Sequence, residues 1–142
     1  MRGDRAERFV EHLRRLHEQG DRGALAALRR GLASPPGTEV ETFPYVAPFL
    51  FGLSPAQEAP FFIVASLFGS HPEGRGSGSF GAALAAVRAR RPSGQGSLDK
   101  RFMALLETSA EGLPYQLRQL VSLARGREVP VDWVQLLNDI GE

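Results

Sequence analysis

The sequence predicts an all-α protein, a compact helical bundle, and three observations support this fold class. Apolar residues recur with the helical period almost throughout the 142 residues. Helix-capping residues stand at the start of several of these periodic segments. No segment alternates apolar and polar residues clearly enough over four positions to predict a strand.

The first two predicted helices are set by apolar spacing and by their ends. Apolar residues from Phe9 to Leu16 form one stripe on a helix that covers roughly residues 4–18. Asp21 then caps a second helix, which stops at Gly31. After a loop, a short apolar helix is predicted near residues 45–51.

The central buried helix is predicted to open at a capping box. Ser54 stands three residues before Gln57, with proline at the first helical position between them. The helix should run through Phe68, because little of this segment is polar. A kink or break is expected at Pro60, because proline lacks the backbone N–H.

The second half of the chain contains breakers that separate further helices. Residues 69–79 are rich in glycine and serine and indicate a mobile loop or linker. This segment predicts a division into an N-terminal bundle, 1–74, and a basic C-terminal bundle, 75–142. Helices are predicted at about residues 80–89, after the cap Ser97, around residues 113–124, and from Pro130 onward.

Charge is segregated along the chain, although the total is only +1. Residues 1–30 carry eight arginines against five acids, and residues 31–74 carry four acids and no lysine or arginine. Residues 75–127 carry eight arginines and one lysine against three acids, whereas residues 128–142 carry four acids and no lysine or arginine. The basic third segment suits a polyanionic partner. Arginine dominates the basic residues, which favours phosphate recognition, although a GC-rich genome would give the same bias.

Several enzyme classes lack their required residues in this sequence. There is no cysteine, which excludes thiolate nucleophiles and cysteine-based metal sites. His12 and His17 are five residues apart, unlike a metal-binding pair, and both are interpreted as surface residues. His71 has no nearby carboxylate pair, so zinc is not expected there. Residues 74–78 lack the ending of a phosphate-binding loop. We expect no enzymatic activity and no cofactor.

Membrane association is not expected either. No segment approaches the ~18–20 uninterrupted apolar residues that span a bilayer. The first residues lack the apolar core of a signal peptide. The sequence therefore predicts a cytoplasmic protein.

Arginines at helix ends are the first candidates for binding nucleic acid. Arg29 and Arg30 fall in the last turn of the second helix, and Arg88 and Arg91 end the alanine-rich helix. A cation at such a position also complements the helix dipole, so a structural role explains these four equally well. Most phenylalanines belong to apolar stripes, which argues against base stacking and leaves contacts with the backbone.

Three other basic residues are less easily explained by the fold. Lys100 and Arg101 fall near the start of their helix, where positive charge opposes the dipole and costs a few tenths of a kcal/mol. A locally unfavourable residue favours a functional role. Arg118 stands in the middle of a helix, where a solvated face and a functional role are equally good explanations.

Taken in order, six short sequence segments resemble those of the CasB family, the small subunit of the type I-E CRISPR-associated Cascade complex. Each segment is weak alone, but their order and spacing extend over about residues 8–140. They occupy residues 22–31, 61–72, 80–84, 97–106, 113–120 and 131–137.

The resemblance implies a non-catalytic helical protein of two small bundles, with two copies packed head to tail in each complex. It implies contacts with the guide RNA, the target DNA and the displaced single-stranded DNA, which stabilise the R-loop. Family arginines that contact nucleic acid match Arg29, Arg30, Arg101 and Arg118. Members commonly continue beyond the last helix with a further basic, aromatic-containing segment, so either its contacts are absent here or the terminus at Glu142 has been cut.

A different function remains open from the residues themselves. The chain could be a helical adaptor that docks on other proteins without touching nucleic acid. Its arginines would then form salt bridges with the acidic segments 31–74 and 128–142. Salt-dependent binding to single-stranded DNA or RNA distinguishes the two hypotheses.

Overall fold

The computed structural model describes residues 2–73, 76, 78, 82, 83, 85, 86, 113–126 and 128–141. Their regular secondary structure is helical and includes no strand, which confirms the predicted all-α class. Residues 82, 83, 85 and 86 are helical, within the predicted alanine-rich helix, whereas the helix predicted after Ser97 lies outside the described residues. Among the helices that can be described, none is long and apolar enough to span a bilayer.

Six α-helices have bounds that the described residues define. Three short 3-10 helices, at Gly31–Ala33, Val40–Thr42 and Ala47–Phe49, lie between the second and fourth α-helices. The α-helices are α1 (Arg2–Glu18), α2 (Arg22–Arg30), α3 (Phe43–Val46), α4 (Pro55–Ser70), α5 (Leu113–Gly126) and α6 (Trp133–Ile140).

Two predicted helix starts are confirmed by their capping hydrogen bonds. The Asp21 carboxylate accepts a hydrogen bond from the Ala24 backbone N–H at 3.0 Å and begins α2. The Ser54 hydroxyl accepts from the Gln57 N–H at 3.3 Å, while the Gln57 side chain accepts from the Ser54 N–H at 2.9 Å. This reciprocal pair satisfies two backbone donors that the first turn of α4 would leave unpaired.

Two other predictions about helix bounds differ from the structure. The break that was one alternative at Pro60 does not occur, because Pro60 is buried inside a continuous helix, whereas a kink there stays a prediction. The missing N–H removes one hydrogen bond, but the buried apolar residues that follow Pro60, from Phe61 to Phe68, keep the segment packed. The last helix begins at Trp133 rather than at Pro130, so the proline stands in the preceding turn.

The chain divides into two compact units, and the last helix belongs to the first of them. The first unit comprises residues 1–72 and 133–142, and the second comprises residues 73–132. The predicted boundary after residue 74 lies close to the first junction, but the predicted C-terminal bundle also included α6. Helix α6 packs on α1 and α4 because Trp133 is buried against Phe68. The partition at 74/75 as two independent bundles stays a prediction.

The core of the first unit is formed by α2 packed on α4 and by α6 packed on α1 and α4. Gly69 allows α2 and α4 to approach each other closely. A Cβ at this position would lie 3.0 Å from the Leu25 carbonyl oxygen and 3.1 Å from the Arg29 nitrogen. On the other side of the core, the ring of Phe9 meets Phe49 and Phe61 edge to face, with centroids 5.2 and 5.1 Å apart.

In the second unit, the glycine-rich segment predicted to be a mobile linker is packed at two described positions. A Cβ on Gly76 would lie 2.6 Å from the Val131 carbonyl carbon and 2.8 Å from the Asp132 nitrogen. The Gly78 N–H donates a hydrogen bond to the Asp132 carboxylate at 3.2 Å. At these positions the segment therefore packs against the turn that precedes α6.

Two histidines lie beside aromatic rings, and for His12 this differs from expectation. His71 is only 3% exposed, and its ring lies 6.5 Å from that of Trp133. His12 is half-buried, with its ring 5.0 Å from Phe49 and its Nε2 enclosed without a hydrogen-bond partner among the described residues. The interpretation of His12 as a surface residue was wrong, because the loop before α4 covers it.

Burial lowers the pKa of His12 below its ordinary value of 6.5. A hydrogen bond with the Tyr45 backbone acts in the opposite direction, and the positive charge of Arg15 lowers the pKa further. The unfolded chain therefore binds this proton at a higher pH than the folded chain does. The contribution of neutral His12 to the stability of the folded chain is fully present above pH 6.5. It is lost as the pH falls from there toward the pKa of His12 in the folded chain. When the pH is lowered from 7.5 to 5.5, we expect the free energy of unfolding to fall less for His12→Gln than for wild type. Urea unfolding at the two pH values measures this difference.

The control for this pH dependence is Arg8→Gln, on the same helix, because Arg8 is exposed and arginine keeps its charge at both pH values. It should keep the wild-type difference between the two pH values. An undiminished pH dependence in His12→Gln would contradict the assignment of this proton to His12.

Candidate nucleic-acid interface

The end of α2 brings Arg29 and Arg30 together, and both are exposed. The Arg29 Nη1 donates a hydrogen bond to the Gly69 carbonyl at 3.0 Å. Gly69 lies in the last turn of α4, where the carbonyls lack N–H donors within the helix. Arg29 thus caps α4 and places a positive charge near the negative end of its dipole.

Arg30 forms an ion pair with Glu41, and both side chains are about half exposed. An exposed pair contributes ~0–1 kcal/mol to folding, so it stabilises the fold only slightly. It does reduce the net positive charge at the end of α2, and Glu41 belongs to the acidic segment 31–74. A salt bridge of this kind is what the adaptor hypothesis expects.

Arg118 lies in the second unit, on the exposed face of α5. The face opposite is buried through Leu117, Leu120, Val121 and Ala124. Tyr115, Ser122 and Arg125 share the exposed face, because successive spacings of three, four and three residues return to one side of a helix. We call these four exposed residues, Tyr115, Arg118, Ser122 and Arg125, the α5 face.

The α5 face combines positive charge with an aromatic ring. Helix α5 contains two arginines and no acidic residue. Arg118 and Arg125 are seven residues apart, which separates their Cα atoms by roughly 10 Å along the helix. Tyr115 is 63% exposed, so its ring is available at one end of the face. The arrangement can bind an anionic polymer that follows the helix.

Sequence reasoning identified only one member of this face. Arg118 was singled out, but Tyr115 and Arg125 were not. Their spacing from Arg118 was a usable signal, since the leucines on the opposite side already fixed which face of the helix is buried. The four other candidates, Arg88, Arg91, Lys100 and Arg101, lie outside the described residues, and their role stays a prediction.

No candidate metal site lies in the part of the chain that the structure describes. No cluster of three or more histidine, aspartate or glutamate side chains is found there.

The sequence belongs to a family of helical CRISPR-associated proteins. Residues 24–142 match the profile of the family described as CRISPR-associated protein Cse2. A CRISPR-associated protein Cse2 from Thermus thermophilus is 38% identical over 143 aligned positions, which cover 94% of this chain and 78% of that protein. The chain is thus a member of the Cse2 (CasB) family of type I-E Cascade subunits, and the resemblance seen in the sequence is confirmed.

Solved structures show the same relationship. The crystal structure of CasB from Thermus thermophilus is similar with a TM-score of 0.79 and 34% identity, and the match covers 95% of this chain and 84% of that one. A second crystal structure from that species, of a CRISPR-associated protein of the Cse2 family, gives a TM-score of 0.82 at 34% identity, covering 95% and 85%. CasB from M. ruber gives 0.75 at 30% identity, covering 96% and 82%.

Proposed function

We propose that this chain is a non-catalytic subunit that binds nucleic-acid backbone in an RNA-guided CRISPR complex. It would contact the guide RNA, the target DNA and the displaced single strand, and so stabilise the R-loop. Its protein partners would be the other Cascade subunits and a second copy of itself. Membership of the Cse2 family supports the complex, and the α5 face supports the contact with nucleic acid.

The chemistry of the α5 face suits phosphate better than it suits bases. Each guanidinium presents planar donors that match phosphate oxygens, and these contacts carry no sequence information. Base pairing between guide and target would supply sequence choice, as in other RNA-guided effectors. Tyr115 adds one ring that can stack on an unpaired base without distinguishing among bases.

The double variant Arg118→Gln, Arg125→Gln tests the proposal. Affinity for single-stranded DNA and RNA of unrelated sequences should fall to a similar extent, because only backbone contacts are lost. The slope of log affinity against log salt should become shallower by about 1.4, since each phosphate contact with a single strand contributes ~0.7. Fluorescence anisotropy over a salt series measures both quantities.

Arg8→Gln, Arg15→Gln is the matched control, because it also removes two exposed arginines from one helix. Those arginines alternate with Asp4, Glu11 and Glu18 along α1, so their surface is not a basic one. The control should keep the wild-type slope. A double α5 variant that binds both polymers as wild type does would show the proposed face to be wrong.

The adaptor function has one observation in its favour, the ion pair between Arg30 and Glu41. An adaptor without nucleic-acid contact predicts that the α5 variants keep wild-type binding to DNA and RNA. It also predicts that variants at Arg30 change stability or subunit assembly. The same salt series therefore separates the two functions.

A further inference from the structure

The first unit carries an apolar groove of about 460 Å³ between the loop after α2, α3 and the start of α4. Its floor is the buried ring of Phe62, and Phe43 forms one wall with its ring centroid 5.4 Å from that of Phe62. The loop at Gly37 lies against the same phenylalanine, since a Cβ there would be 3.5 Å from the Phe62 ring. The lining residues are mainly apolar, and Glu58 is the charged one among them.

Phe51 stands at the rim of this groove and is 90% exposed. It occupies the second position of a turn closed by a hydrogen bond from the Leu53 N–H to the Leu50 carbonyl at 3.0 Å. Gly52 follows with φ of +80°, which a type II turn requires at its third position. The turn therefore fixes the backbone that holds an aromatic ring in solvent.

An exposed phenylalanine beside an apolar groove does little for the fold. The hydrophobic effect stabilises a folded chain in proportion to the apolar area it removes from water, and Phe51 removes little. Contiguous apolar surface on a soluble protein marks an interaction site or favours aggregation. Aromatic residues are also typical of the residues that dominate binding at protein interfaces.

Charge indicates which class of molecule fits the groove. The groove lies wholly within residues 31–74, which carry four glutamates and no lysine or arginine. A phosphate backbone would be repelled here, whereas lysine or arginine would be attracted, most directly by Glu58. A small polar ligand would need several convergent polar groups, which this lining does not offer.

We propose that the groove is a docking site for another protein subunit of the complex, which inserts an apolar side chain flanked by lysine or arginine. Phe51 would pack on the inserted segment and Glu58 would pair with its positive charge. The proposal rests on the proposed function only in that the partner belongs to the Cascade complex. It does not depend on the α5 face or on nucleic-acid binding by this chain.

Co-expression with the other Cascade subunits and guide RNA tests the docking site. Phe51→Ser should weaken incorporation about 5- to 30-fold, which corresponds to the loss of one dominant interface residue. Glu58→Gln should weaken it less, and the difference from wild type should disappear at high salt. Ala47→Arg, which places a bulky cation in the groove, should weaken incorporation independently of Phe51.

Val40→Ser is the matched control, because Val40 is 74% exposed in the same segment and does not line the groove. It should be incorporated as wild type is. Circular dichroism should show all variants folded, and the isolated Phe51→Ser chain should keep wild-type affinity for single-stranded DNA. The α5 double variant should lose that affinity. The binding measurement therefore tests the α5 face, and the incorporation measurement tests the groove.

Three outcomes would overturn the docking proposal. Phe51→Ser and Ala47→Arg could both be incorporated normally, which would leave the groove without a role in assembly. Phe51→Ser could instead abolish self-association in sedimentation equilibrium of the isolated chain, which would make a second copy the occupant. Reduced DNA affinity of the isolated Phe51→Ser chain would point to nucleic acid.

Discussion

Replacing Trp133 with alanine is expected to lower the free energy of unfolding by about 3–5 kcal/mol, as for other large aromatic residues truncated in cores. Trp133 is fully buried at the start of α6, and its ring meets Phe68 of α4 edge to face with centroids 5.9 Å apart. Alanine would leave a cavity at the contact that holds α6 in the first unit. Urea unfolding followed by circular dichroism measures the loss.

Trp133→Phe is the control for this cavity. Phenylalanine keeps an aromatic contact with Phe68 and removes the indole N–H, which is buried without a hydrogen-bond partner among the described residues. An unpaired buried donor costs ~1–3 kcal/mol, so its removal offsets part of the lost volume. The phenylalanine variant should lose less than half as much stability as the alanine variant. Equal urea midpoints for wild type and Trp133→Ala would contradict the packing of α6.

The second large effect is expected from Gly76→Ala. The added Cβ would lie 2.6 Å from the Val131 carbonyl carbon and 2.8 Å from both the Asp132 nitrogen and the Pro130 oxygen. All three are backbone atoms, so no side chain can rotate away. The variant should lose about 1–3 kcal/mol, more than the ~0.4–1 kcal/mol that alanine gains through the unfolded chain.

Hydrogen exchange should locate this effect in the second unit, with faster exchange of the amides in α5. Gly126→Ala is the matched control, because its Cβ would meet no atom within 4 Å and alanine favours the helix. The control should be neutral or slightly stabilising. If Gly76→Ala unfolds as wild type does, the close packing of residue 76 against residues 130–132 is wrong.

Local signals in the sequence predicted the helices better than their arrangement. The caps at Asp21 and Ser54 depend on residues three positions apart, and the structure confirms both. The unbroken α4 was missed because burial around Pro60 outweighs one lost hydrogen bond, and burial is a property of the whole fold. His12 was misjudged for the same reason, since the residue that covers it, Phe49, is distant in sequence.

In the candidate site too, the sequence predicted relations between neighbouring residues but not contacts between distant ones. The α5 face could be derived from spacing alone, because the helix period relates Arg118 to Tyr115 and Arg125. The hydrogen bond from Arg29 to Gly69 could not, because 40 residues separate donor and acceptor. Whether an arginine contacts nucleic acid or a carbonyl of its own chain depends on such distant neighbours.

The return of residues 133–142 to the first unit has a consequence for synthesis on the ribosome. Helix α6 leaves the ribosome only after the entire second unit has been made. Until then Phe68 lacks its contact with Trp133, and the first unit holds an incomplete core although its four N-terminal helices already exist. We therefore expect the first unit to complete its folding last, even though most of it is translated first.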